Sequence, residues 1–225
     1  MEEKYIIKLK GITFGYDGKP LLFDSLDFFL PEAGRVGIIG PNGCGKTTLF
    51  NIIMGFVKPA SGIIEISGRV IKGERDFQKV REKIGFLFQN SDDQLFCPSV
   101  REEVAFGPLN YRLPREEVEK RIKESLEIIG LKGFEERAPY HLSEGEKKKL
   151  ALATILAMKP KILLLDEPTN GLDDSGLKSV VEILNDSNLT IVVISQDINF
   201  LKDTTKVIYT IDRGKLKEIN LHSYQ

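Results

Sequence analysis

Apolar positions along this chain follow two rhythms. Short apolar or alternating runs at 5–10, 21–30, 35–39, 63–66 and 83–88 read as strands, and the same texture returns at 161–166, 189–195 and 206–211. Between them the period lengthens. Val118, Ile122, Leu126 and Ile129 recur at helical spacing through 115–129, with Pro114 before the segment and Gly130 after it. Residues 143–158 read as a second strong helix, and 48–54, 175–184 and 197–203 as shorter ones. The run 5–10 resembles an edge strand, and Asp212-Arg213-Gly214-Lys215 reads as a hairpin turn into a last strand at 216–219. Strands alternating with helices predict an α/β fold with a mainly parallel sheet. The helical middle, about 99–158, predicts a lobe inserted into a core of about 1–98 and 159–225. With no repeat, low-complexity tract or long linker, 1–225 is expected to be a single domain.

Composition narrows the class of partner. Lys plus Arg number 32 against 33 Asp plus Glu, so no nucleic-acid partner is expected. The run Lys147-Lys148-Lys149 reads as a solvated helix face. Cys44 and Cys97 are the only cysteines, and Cys44 sits where a disulfide would distort the loop described next; a reduced, cytosolic setting is the expectation. The charged start, residues 1–4, does not have the pattern of a signal peptide. Apolar runs such as 162–165 fall far short of the ~18–20 residues that cross a bilayer, so any membrane role is expected to come through a partner. His141 and His222 lack metal-ligand spacing and read as surface residues.

The chemistry concentrates at residues 40–48. Gly40-Pro41-Asn42-Gly43-Cys44-Gly45-Lys46-Thr47-Thr48 fits G-x-x-x-x-G-K-S/T between a strand and a helix, the frame of a phosphate-binding loop. Asn42, Gly43, Cys44, Gly45, Lys46, Thr47 and Thr48 would wrap a nucleotide's phosphates with backbone N–H groups and the positive end of the helix dipole. Lys46 would reach the β- and γ-phosphates of ATP, and the Thr47 hydroxyl would bind Mg²⁺. The apolar strand 162–165 stops at Asp166-Glu167. Asp166 is expected to hold the Mg²⁺ shell and Glu167 to polarise the attacking water.

Leu142-Ser143-Glu144-Gly145-Glu146 lies between those elements, and there the chain resembles the ATP-binding-cassette (ABC) family, whose signature reads L-S-G-G-Q. The resemblance covers essentially the whole chain. It implies a P-loop ABC-ATPase fold with an added antiparallel β region, and a head-to-tail dimer. In that dimer each ATP lies between one chain's phosphate loop and the other's signature helix, here Ser143 and Gly145. A helix beginning at Ser143 would offer free N–H groups to a γ-phosphate. Ser143 with Glu146 is also an S-x-x-E capping box, which starts a helix whatever its function.

By the same resemblance Tyr16 stacks on adenine, Gln89 senses the γ-phosphate beside Mg²⁺, and Gly171-Leu172-Asp173 faces the dimer partner. Residues 90–96 and 104–108 are most similar to the ATPases of energy-coupling-factor and cobalt/nickel importers of vitamins and metal ions. The partners implied are a second cassette, a paralogue or a second copy of this chain; a membrane coupling subunit docked near 89–108; and a separate membrane substrate-binding subunit. The expected location is the cytoplasmic face of a prokaryotic membrane. Leu95 and Phe96 are expected to dock a partner rather than join the core.

Two positions depart from the family pattern. Gln196 stands where a histidine usually contacts the γ-phosphate, and Glu144 and Glu146 replace Gly and Gln. They point to one alternative to an importer ATPase of ordinary turnover, a low-turnover regulatory subunit of an asymmetric heterodimer; a second alternative, a soluble cassette outside transport acting on nucleic acid or ribosomes, is opposed by the balanced charge.

Overall fold

A computed structural model describes residues 4–185 and 188–219. Two compact units emerge, one of 1–84 with 190–225 and the other of 85–189. The first opens with β1 (Tyr5–Phe14) and β2 (Phe23–Pro31), then β3 (Arg35–Ile39), which feeds α1 (Lys46–Met54). β4 (Ser61–Ile66), β5 (Arg69–Val70) and α2 (Glu74–Arg81) follow. Strands β2, β1, β4 and β5 form an antiparallel sheet in that order.

β1 is therefore an inner strand, not the edge expected, and it runs four residues beyond 5–10. Ile7, Leu9 and Ile12 are wholly buried on it, while Lys8 and Glu65 pair on the opposite face at 3.0 Å. Alternating polarity marks a sheet with one wet face and carries no label for edge or centre. Phe23, Leu26, Phe28 and Leu30 point inward from β2, with a register shift at Ser25, whose φ is 52°.

The second unit begins around β6 (Ile84–Leu87) and continues with α3 (Val100–Asn110), α4 (Arg115–Ile128) and α5 (Glu144–Leu156). It ends with β7 (Ile162–Asp166), beside β6, and α6 (Asp174–Asn185). The helical period read at 115–129 becomes the inner face of α4. Val118, Ile122 and Leu126 pack with Val100 and Val104 of α3 and with Leu150 and Ala153 of α5. Leu95 is half-buried against this cluster, so it is partly core, contrary to expectation; Phe96 is exposed. The cause is local. A short 3-10 turn at Ser91–Asp93, capped by the Asn90 side chain, rolls Leu95 inward.

The chain returns to the first unit with β8 (Thr190–Ile194), α7 (Ile198–Thr204), β9 (Val207–Asp212) and β10 (Lys215–Glu218). β3 lies between β8 and β9, parallel to both. β10 pairs antiparallel with β9 across the expected turn, where Arg213 and Gly214 have φ of 47° and 74°. All five residues of β8 are buried, which is why it reads as a continuous apolar run. Among the described residues no helix is long and apolar enough to cross a membrane. His141 is exposed; His222 lies outside the described residues.

Candidate nucleotide site

The phosphate loop follows β3 in the first unit. Gly45 caps α1 with φ 109°, and no side chain caps that helix, so the helix presents backbone N–H groups and its positive dipole end to the loop. A Cβ at Gly45 would lie 2.8 Å from the ring of Phe23. Both the backbone angle and the ring demand glycine. Gly45→Ala is expected to lose ATP binding and about 1–3 kcal/mol of stability, measured by nucleotide titration and thermal melting. Unchanged affinity would mean that this loop is not where phosphate sits.

Lys46 is buried to 8% exposure, unusual for a lysine, and its Nζ donates to the carbonyls of Gly40 (2.7 Å) and Pro41 (3.1 Å). Those two bonds hold the ammonium over its own loop. Gln196, in the turn between β8 and α7, donates its amide to the same Gly40 carbonyl at 2.7 Å. Asp197 next to it caps α7 by accepting from the N–H groups of Asn199 and Phe200, which fixes the turn. Tyr16 shares a 3.2 Å hydroxyl contact with Thr48 of α1 and packs edge-on against Phe14. Its ring remains 43% exposed. Tyr16, Lys46, Thr48 and Gln196 are thus gathered around one loop; Thr47, Asn42 and Gly43 are exposed on it, and Cys44 is half-buried.

In the second unit β7 delivers Asp166 and Glu167, 1% and 8% exposed. The backbone turns left-handed at Glu167, φ 47°, an uncommon conformation for a residue with a side chain, directly after the end of the strand. Lys148 of α5 is 4% exposed and donates to the carbonyls of Phe88 (3.2 Å) and Gln89 (2.7 Å). Burial lowers its pKa below the ordinary lysine value, while the negative charges of Asp166, Glu167 and Glu144 pull the other way. The solvated face read at 147–149 is corrected here. Lys148 lies in line with Leu152 and Ile155, on the buried stripe of α5, and that spacing was the signal that could have found it.

Ser143 caps α5 in a full capping box. Its Oγ accepts from the N–H of Glu146 at 3.3 Å, and the Glu146 carboxylate accepts from both the N–H and the hydroxyl of Ser143 at 2.8 Å. The backbone N–H of Ser143, then its hydroxyl, hold Glu146 below the usual carboxylate range. Glu146 is thereby folded back onto its own helix start, and Glu144 pairs with Lys147 at 3.0 Å. Gly145 is required by contact: a Cβ there would lie 2.7 Å from the Gly171 carbonyl. Asp173, just before α6, accepts from Gly176 N–H at 2.8 Å and from the Ser175 hydroxyl, which lowers its pKa.

Glu103 was missed in the sequence, although it shares a helical face with Val100 and Val104. It is 3% exposed and accepts from the backbone N–H groups of Phe96 and Cys97. Burial raises its pKa. Burial, reinforced by the charges of Glu103 and Glu102, pushes the Cys97 thiol up to about 11, so it stays protonated and unreactive at neutral pH.

Residues 23–170 match the model of the family described as ABC transporter. The chain is 45% identical over 216 residues to the energy-coupling factor transporter ATP-binding protein EcfA of Methanothermobacter thermautotrophicus, covering 94% of this chain and 69% of that protein. It is 42% identical to the EcfA of Methanocaldococcus jannaschii, over 94% of this chain and 77% of that one. Among solved structures, cbiO1 of Clostridium perfringens, part of the transporter complex cbiONQ, superposes with a TM-score of 0.85 at 34% identity, covering 96% of this chain and 88% of its own. A dimeric ABC transporter cassette, MJ0796, gives 0.85 at 29% identity in a post-hydrolysis state bound to ADP and phosphate, over 97% of this chain and 100% of its own.

Proposed function

This chain belongs to the ABC transporter family of ATPases, and from that premise we propose that it is the ATP-hydrolysing subunit of an energy-coupling-factor-type importer of vitamins or metal ions. The observation that carries the reading is the buried Lys46, held by two loop carbonyls in an intact strand–loop–helix frame. The names of its relatives support the importer class.

In this reading Tyr16 stacks on adenine, while Asn42 to Thr48 and Lys46 hold the phosphates. Thr47 of the first unit, and Asp166 and Gln89 of the second, are the Mg²⁺ donors that the family resemblance implies. Hydroxyl, carboxylate and amide oxygens are the hard donors this ion takes, and it needs only one or two beside the phosphates. Bound there, it would neutralise charge developing on the transferred phosphoryl group. Glu167 orients and polarises the attacking water. Ser143 and Gly145 cover the γ-phosphate held by a second cassette, and the helix start at Ser143 supports that role. Domain roles follow: residues about 1–98 and 159–225 form the nucleotide core, and about 99–158 the signature lobe. Closure of the dimer on ATP would move a membrane subunit docked near 89–108, with the protein peripheral to the inner face of the membrane.

We also assign the two departures to one cause, pairing with a paralogous cassette that gives two unequal ATP sites. Gln196 offers a neutral amide where a histidine could carry charge, a difference of roughly tenfold in turnover. Gln196→His is expected to raise ATP turnover of the assembled complex by about that factor; no rise would clear Gln196 of limiting it. The wider reading is tested by purifying the complex from its native membrane and identifying each co-eluting chain. A second cassette and membrane subunits are expected. Recovery as a stable ATP-dependent homodimer with two equal sites would remove the paralogue, and recovery without membrane chains would remove the importer.

A further inference from the structure

Lys148 has no part in the roles above, yet it is among the least expected side chains in the second unit. A lysine seldom gives up its hydration unless its three donors find acceptors. Here Nζ bonds the carbonyls of Phe88 and Gln89, the two residues that carry the chain out of β6. The attachment is not isolated. Gln94 donates to the Ala151 carbonyl at 2.9 Å and to Thr154 Oγ1 at 3.0 Å, while its own side-chain oxygen accepts from the N–H of Phe88. Lys147 reaches Asp92 at 2.8 Å. Four residues of 88–94 are therefore fastened to the first three turns of α5, the helix that Ser143 caps. Of these fastenings only Lys148 grips the backbone of Gln89 itself.

We propose that Lys148 is a positioning residue for ATP hydrolysis, holding Gln89 in register with the helix start at Ser143 by its grip on the Phe88 and Gln89 carbonyls. The proposal rests on the assignment of Gln89 to the γ-phosphate and Mg²⁺ made above. Through this grip the segment that meets nucleotide in its own chain and the helix that covers nucleotide in the partner move as one piece. A side chain that reports the γ-phosphate must be placed to within a fraction of an ångström, and misplacement by about 1 Å is enough to cost on the order of 100-fold in rate.

The test uses the full chain in its complex, with Lys148→Met to keep the apolar stem, Lys148→Arg to keep charge and donors, and Gln89→Ala. Lys148→Met is expected to lower kcat roughly 10- to 100-fold with KM for ATP within about twofold, and Lys148→Arg to recover most of the loss. Lys148→Met should cost nothing further in the Gln89→Ala background. Amide exchange should quicken in 88–94 of Lys148→Met, while the α1 segment stays protected. Additive losses, a rise in KM that matches the fall in kcat, no benefit from arginine, or unaltered exchange at 88–94 would each overturn the proposal. If Gln89→Ala is slow and Lys148→Met is not, Lys148 alone falls; if Gln89→Ala turns over normally, the assignment of Gln89 falls and takes Lys148 with it.

Discussion

Glu167→Gln is expected to lower ATP turnover by about 10²–10⁴-fold while leaving ATP binding intact or tighter. The substitution keeps the shape of the side chain and removes only its charge and basicity. Glu167 is 8% exposed and follows directly on the strand that supplies Asp166, with a left-handed backbone. In the proposed reading the two adjacent buried carboxylates would divide the work, Asp166 toward Mg²⁺ and Glu167 toward the attacking water. Taking away the second charge also removes its repulsion of the γ-phosphate, so nucleotide should be retained and the ATP-bound dimer should last longer. Single-turnover hydrolysis alongside nucleotide titration reads both quantities. A loss of less than about tenfold would mean that another group activates the water.

Lys46→Ala is expected to act at the other end of the cycle, weakening ATP by about 100-fold or more and taking turnover with it. Charge-assisted contacts contribute about 1.5–3 kcal/mol each, and in the proposed role Lys46 would serve two phosphates. The lysine is already desolvated and held by Gly40 and Pro41, so little ordering remains for it to lose when nucleotide arrives. Calorimetric titration with ATP tests this, and thermal melting without nucleotide separates lost contact from lost fold. Affinity unchanged within about twofold would place the phosphates elsewhere.

The candidate site was legible where the chemistry is carried by consecutive residues. Residues 40–48 carry glycines, a lysine and hydroxyls within nine positions; the structure shows the strand 35–39 before them as read, and α1 after them beginning at Lys46, two residues earlier than the 48 expected. Ser143 and Glu146 are three apart, so their capping box could be written down from spacing, and it is present. Pro114 and Gly130 punctuate α4 because one fixes a backbone angle and the other supplies a left-handed one, φ 72°. Helices α2 and α3 gave weaker signals. α2 buries only Val80, and α3 carries Gly107 and Pro108 inside it.

Local chemistry, then, was the sequence's own to decide: which loop carries the phosphate-binding pattern, which strand ends in carboxylates, where α4 and α5 start. All of these depend on atoms a few residues apart, whose geometry the backbone itself dictates. Tertiary structure alone decided that β1 is flanked on both sides, that Gln196 shares the Gly40 carbonyl with Lys46, and that Lys148 leaves water to bind Phe88 and Gln89. Each of those outcomes turns on a carbonyl or strand dozens of residues away. A cation on a helix is soluble or buried according to whether such acceptors arrive to replace its water.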